Sequence, residues 1–146
     1  MEEKLQAKVL LVDDEEEFCN MLSERLETRG LKVNAVLSGE DAVKRVEDQN
    51  FDAIILDLAM PGIDGLETLR RIKEKRPDLE ILMLTGHGTV KSGIEAMKLG
   101  AEDFLEKPVD MKVLLEKISE AKHKHMLILE KKSREEVENI IKSKSW

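Results

Sequence analysis

The sequence predicts one doubly wound α/β domain, a five-stranded parallel sheet flanked by five helices. Three observations predict it. Short, near-continuous apolar runs recur at wide spacing, as for strands covered on both faces. Between these runs the apolar period changes to that of a helix. Four of the runs end in a polar residue, as where strand ends of an open parallel sheet converge on one crevice.

The strands come in order as Lys8-Val-Leu-Leu-Val-Asp13, the weaker Lys32-Val-Asn-Ala-Val36, Phe51-Asp-Ala-Ile-Ile-Leu-Asp57, Glu80-Ile-Leu-Met-Leu-Thr85 and Asp103-Phe-Leu-Glu-Lys107. The first helix shows Phe18, Leu22 and Leu26 four apart, with Gly30 as its stop. Ser38-Gly39-Glu40-Asp41 resembles a capping box opening a second helix with Val43 and Val46 inward. A third, Asp64 to Lys75, carries Leu66, Leu69 and Ile72, with basic residues near its end and Pro77 beyond. The fourth, Thr89 to Leu99, carries Val90, Ile94 and Met97 and stops at Gly100; the fifth runs from Asp110 through Leu114, Ile118 and Ala121. The order is βα five times over.

Composition sets the bounds. At 146 residues and 41% hydrophobic content the chain buries one core, hardly two. A net charge of −7 argues against a nucleic-acid surface. The single cysteine, Cys19, excludes an internal disulfide framework and reads as a small packed side chain beside Phe18. With no signal-like start and no apolar run long enough to span a bilayer, the expectation is a cytoplasmic protein without membrane contact.

The strand-end residues are Asp13, Asp14, Asp57, Thr85 and Lys107. Three carboxylates, a hydroxyl and an ammonium suggest phosphoryl chemistry on magnesium, a small hard cation that takes oxygen ligands and keeps waters. Asp13 and Asp14 form the acidic nest. Asp57 is a third carboxylate and a candidate nucleophile, since aspartyl phosphate is an established covalent intermediate. Lys107 and Thr85 would each serve one phosphoryl oxygen. Without a cation the carboxylates repel one another, so metal affinity and pKa are coupled. Taken singly, Asp13-Asp14 reads as a helix N-cap region, Thr85 as a turn residue, Lys107 as a surface lysine and Phe104 as core. Met60-Pro61-Gly62 reads as a turn and Asp64 as a cap. None of the three histidines, His87, His123 and His125, is expected to take part in the chemistry.

Val12-Asp13-Asp14-Glu15, the run Asp57-Leu-Ala-Met-Pro-Gly-Ile-Asp-Gly65, Leu84-Thr85-Gly86 and the run Gly100-Ala-Glu-Asp-Phe-Leu-Glu-Lys-Pro108 together resemble the receiver domain of bacterial two-component response regulators. The resemblance covers about residues 5 to 124. It implies a flavodoxin-like, CheY-like fold with strand order 2-1-3-4-5. It also implies Asp57 as phosphoacceptor from a sensor histidine kinase, with Mg2+ held by Asp13, Asp14, Asp57 and the backbone carbonyl of Ala59. Thr85 and Lys107 would hold the phosphoryl group, Thr85 and Phe104 would be the switch pair, and Lys107-Pro108 would be a cis peptide. The output face would lie on the fourth helix, fifth strand and fifth helix, including Val90, Ile94 and Met97. Gly86 stands where many receivers carry alanine, and Ala59 offers no side-chain polar group toward an attacking water. Gly86-His-Gly-Thr-Val90 and the Ala101 to Pro108 run resemble the nitrogen-regulator class of transcription activators.

The domain division expected is a receiver at 5–124 and a helical extension or linker at 125–146. Glu130 to Glu136 reads as a charged break, with Ser133 and Glu136 as a capping box for a short second helix carrying Val137, Ile140 and Ile141. Leu114, Ala121 and Ile128, seven apart, allow a helical dimer seam, and Trp146 closes the chain. Three functions follow from these readings. One is a phosphorylation-operated module whose partners are a kinase and an effector, catalysing only its own phosphorylation and dephosphorylation. Another is the regulatory fragment of a longer transcription regulator whose output domain is not in this sequence, so that this chain binds no DNA itself. The third, a haloacid-dehalogenase-type phosphatase, resembles Asp-x-Asp at the first strand, whereas this chain places its candidate nucleophile on the third.

Overall fold

The computed structural model describes residues 6–60, 62–86 and 88–143. Pro61, His87 and Trp146, on which readings were placed above, lie outside them. The elements alternate as the apolar periods require: β1 (Lys8–Val12), α1 (Glu16–Thr28), β2 (Lys32–Val36), α2 (Gly39–Asp48), β3 (Ala53–Leu56), α3 (Gly65–Lys75), β4 (Ile81–Thr85), α4 (Val90–Lys98), β5 (Asp103–Glu106) and α5 (Met111–Ser143). All strand pairs are parallel and the sheet order is β2-β1-β3-β4-β5.

The pleat splits the core in two. Leu10, Val12, Ile54, Leu56, Ile81 and Met83 face one side, where Val43 and Val46 of α2, Leu69 and Ile72 of α3 and Ala96 of α4 cover them. Val9, Leu11, Ile55, Leu82 and Leu84 face the other, under Cys19, Leu22 and Leu26 of α1 and Leu114, Ile118 and Ala121 of α5. Alternate residues of one strand therefore serve opposite layers, the reason the central strands read as unbroken apolar runs. The chain reverses direction over β1 and β3, and the strand ends there open the crevice that holds the site.

Caps explain several helix starts. Ser38 Oγ accepts from the Asp41 N–H at 3.2 Å, one half of the box expected there, and Asp64 Oδ1 accepts from the Glu67 N–H at 2.9 Å. The complete reciprocal box is at Thr89 and Ser92. Asp110 Oδ1 accepts from the Lys112 N–H at 2.8 Å as α5 begins.

Two expectations are corrected. Glu130 to Glu136 is not a break, and Ser133 caps no second helix, because α5 runs without interruption for 33 residues. Glu, Lys and Arg are good helix formers, and no Gly or Pro falls inside this span, so charge alone does not end it. At 1.5 Å per residue α5 is about 50 Å long. Its last buried side chain is His125. The dimer seam is the second correction, because Leu114 and Ala121 are fully buried in this domain's own core and are not open to a partner helix. Val90 (83%), Ile94 (51%) and Met97 (47%) are exposed, and α4 packs on the sheet through Ala96.

Candidate metal and phosphoryl site

Backbone register assembles the site. The Asp13 N–H donates to Val36 O, the Asp57 N–H to Val12 O at 2.9 Å, and the Lys107 N–H to Thr85 O at 2.9 Å. Asp13, Asp57 and Lys107 thus each stand one residue past a strand end, and Thr85 ends β4, so four strands deliver four functional groups to one rim. The β3–α3 loop is held close. A Cβ on Gly65 would run into the Asp57 carbonyl, and Gly62, at φ +80°, sits against the Glu40 carboxylate, which accepts from the Ile63 N–H at 3.0 Å.

Asp13, Asp57 and Thr85 are buried while Asp14 is exposed. The carboxylates of Asp13, Asp14 and Asp57 each offer an oxygen within 4.8 Å of the others. Lys107 Nζ lies 2.6 Å from Asp13 Oδ2. Asp13 Oδ1 also accepts from the Glu15 N–H at 2.9 Å, just before α1 begins. Among the described residues Asp57 Oδ1 is buried without a hydrogen-bond partner. Burial pushes the Asp57 carboxyl above its usual range and Asp13 adds to this, while the Thr85 hydroxyl, the Lys107 ammonium and the Ala59 N–H pull the other way. Burial likewise pushes the Cys19 thiol up to about 11, consistent with a packed and unreactive side chain.

The donor set fits a hard divalent cation. Three carboxylates converge, one oxygen is orphaned, and a single ammonium offsets only part of the charge. The Lys107–Pro108 peptide is cis. Phe104, half-buried on β5, lies outside the carboxylate cluster, where its ring fills the space beside Gly88 and Gly93; a Cβ on Gly88 would meet it at 2.6 Å. With Val90, Ile94 and Met97 it lines an open apolar groove of about 560 Å³.

Sequence reasoning missed two residues here. Phe18 packs against the core on the α1 side, as its apolar period implies, and its ring also lies under Lys107 with Nζ 3.8 Å from the centroid. Glu40 carried no signal, since its partner is a loop N–H 23 residues away.

An open parallel sheet in the order 2-1-3-4-5, with an acidic trio, a hydroxyl and a lysine at its carboxyl ends, is a CheY-like α/β domain. The chain belongs to the response regulator receiver domain family, whose model matches residues 9–119. It is 37% identical over 129 residues to the C4-dicarboxylate transport transcriptional regulatory protein DctD of Pseudomonas aeruginosa, a match that covers 88% of this chain and 28% of that protein. The chain therefore spans little more than a quarter of that relative. Among solved structures, NtrX from Brucella abortus superposes with a TM-score of 0.78 at 29% identity, over 86% of this chain and 29% of that one. A response regulator from Burkholderia pseudomallei, with a phosphorylated aspartic acid, a calcium ion and citrate, superposes at 0.71 with 30% identity, over 82% and 73%. Likeness to DctD and NtrX bears out the resemblance to the nitrogen-regulator class, and the receiver family takes the place of the phosphatase reading. Among the described residues no helix is long and apolar enough to cross a membrane.

Proposed function

We propose that this chain is a phosphorylation-operated receiver in which Asp57 accepts a phosphoryl group from a sensor histidine kinase and thereby switches the face formed by α4, β5 and α5. The observation that carries the reading is Asp57 Oδ1, a buried carboxylate oxygen without a partner among the described residues, beside two further carboxylates and one ammonium. An unsatisfied buried acceptor costs about 1–3 kcal/mol. A reactive oxygen gives that cost a function.

In the transfer, Asp57 forms an O–P bond as the P–N bond to the kinase imidazole breaks, and the bonding pair stays on the imidazole nitrogen. Asp13, Asp14, Asp57 and the Ala59 carbonyl would hold Mg2+, which neutralises charge on the phosphoryl oxygens when bound. Lys107 supplies a point cation and Thr85 a hydroxyl donor to the remaining oxygens. The aspartic acid phosphorylated in the Burkholderia pseudomallei regulator, with its calcium ion, supports this assignment. The chain catalyses only its own phosphorylation and dephosphorylation.

The new charge draws Thr85 toward the phosphate and lets Phe104 turn further inward, which remodels the groove of Val90, Ile94 and Met97. The phosphorylated form binds its effector or output domain through this face. The match to little more than a quarter of DctD supports reading the chain as the regulatory module of a longer cytoplasmic regulator. The exposed apolar residues of α4 and of the distal half of α5 are the surfaces for self-association.

The assignment of Asp57 is tested by labelling with acetyl phosphate, reducing the acyl phosphate with borohydride and mapping the product. Homoserine at position 57 is expected. Homoserine at another carboxylate contradicts the reading.

A further inference from the structure

Lys107 has two anchors, and only one of them is indifferent to a bound cation. Its Nζ is 2.6 Å from Asp13 Oδ2 and 3.8 Å from the centroid of the Phe18 ring. The Lys107 side chain is 15% exposed and Phe18 is half-buried, so both contacts are partly shielded from water. The carboxylate and the ring are presented by one rigid segment. Asp13 Oδ1 accepts from the Glu15 N–H where α1 begins, and Cys19 Sγ lies 3.3 Å from the Asp13 carbonyl oxygen. Lys107 reaches this segment from the far strand, its root set by the bond from its N–H to Thr85 O.

Asp13 cannot serve a divalent ion and an ammonium at full strength. The ion claims the carboxylate charge and, as the largest charge in the site, repels the ammonium beside it. A hard cation seeks oxygen and does not compete for an aromatic face, whereas an ammonium is attracted to one. We propose that Phe18 is a positioning residue for Lys107, its ring keeping the ammonium in the crevice toward Asp57 once the cation has taken Asp13. The inference rests on the phosphoacceptor reading above. It assigns Phe18 a role that its apolar spacing alone does not reveal, and leucine, which keeps apolar volume without a π face, separates that role from packing.

The test uses the full chain and two readouts. In NMR of the metal-free protein, the Lys107 ε-methylene protons lie upfield through the Phe18 ring current, remain upfield at saturating magnesium, lose the shift in Phe18→Leu and regain it in Phe18→Trp. In labelling by acetyl phosphate at saturating magnesium, Phe18→Leu slows the reaction about three- to tenfold at unchanged magnesium affinity, and Phe18→Trp restores it. A Lys107 shift that disappears when magnesium is added to the wild type overturns the proposal. So does a Phe18→Leu protein that labels at the wild-type rate while the wild type labels normally, which leaves the phosphoacceptor reading standing. A wild type that takes no phosphoryl group removes both.

Discussion

His125 Nε2 lies 3.2 Å from Asp78 Oδ2, joining side chains 47 residues apart that are each about 5% exposed. The pair fastens α5 beneath the sheet at the end opposite the site. Asp78 also receives the Arg76 guanidinium at 3.1 and 3.2 Å, and Arg76 reaches on to the Val46 carbonyl and Asn50 Oδ1. The ends of α2 and α3, the start of β4 and the middle of α5 are thereby tied together. Nearby, burial and the neighbouring Glu102 push the Glu80 carboxyl above its usual range, so two acidic groups meet close to this tie.

Breaking this tie should cost stability with a defined pH signature. Burial alone would raise the Asp78 carboxyl, but hydrogen bonds from Arg76 and His125 outweigh it and bring it down to about 2 from 3.8. A lowered acid contributes stability above its unfolded value, and this is lost as the pH falls through the folded one. Asp78→Asn is therefore expected to lose about 1–3 kcal/mol at pH 7 in urea denaturation, with a flatter decline between pH 4 and 2. Equal pH slopes in variant and wild type would show that the tie carries no such linkage.

At Asp57 the sign is reversed. Its carboxyl is raised by burial, so in the metal-free protein the associated stability is present at low pH and is lost as the pH rises through the folded value. Asp57→Asn, which removes that buried charge, should melt about 3–5 °C higher at pH 7 without metal, a gain of about 1 kcal/mol. The gain should shrink at acid pH. A lower melting temperature at pH 7 would count against a charge-strained crevice.

Magnesium should replace what the crevice lacks. At a hundred times its dissociation constant a ligand of the folded state adds about 2.7 kcal/mol, so thermal melting should rise with magnesium and return on chelation. Asp14→Ala should blunt the rise, since Asp14 is the exposed member of the trio and holds little of the fold. A rise of the same size in Asp14→Ala would remove that residue from the ligand set.

The switch is read at a partner. Phe104→Ala and Thr85→Ala should each lower the affinity of the phosphorylated form for its effector by about fivefold or more and leave the unphosphorylated form unchanged, because the coupling exists only between the phosphate and the remodelled face. Binding titrations on both forms would reveal the difference. Equal loss in both forms would mean a simple contact residue.

Much of this architecture was legible because β1, β3 and β4 are buried on both faces. Their apolar runs admit little else, and the polar residue that ends each run marks the crevice. The failures have physical causes. Glu130 to Glu136 resembled a break because charge suggests a loop, yet its residues favour helix. His125 follows Leu114, Ile118 and Ala121 at helical spacing, a signal of burial that its polarity concealed, and its partner Asp78 is distant in sequence. Phe18 begins an apolar period with Leu22 and Leu26, but only those two are buried in full. The Phe18 ring packs against that core at its edge and also faces a lysine contributed from beyond β5, a pairing that only tertiary structure reveals.

The central claim is tested most directly by intact mass after incubation with acetyl phosphate, with and without magnesium, on the wild type and on Asp57→Asn. A single magnesium-dependent phosphoryl adduct on the wild type, absent from the variant, is the expected result. A full adduct on Asp57→Asn, or none on folded wild-type protein with magnesium present, would contradict the assignment of Asp57 as phosphoacceptor.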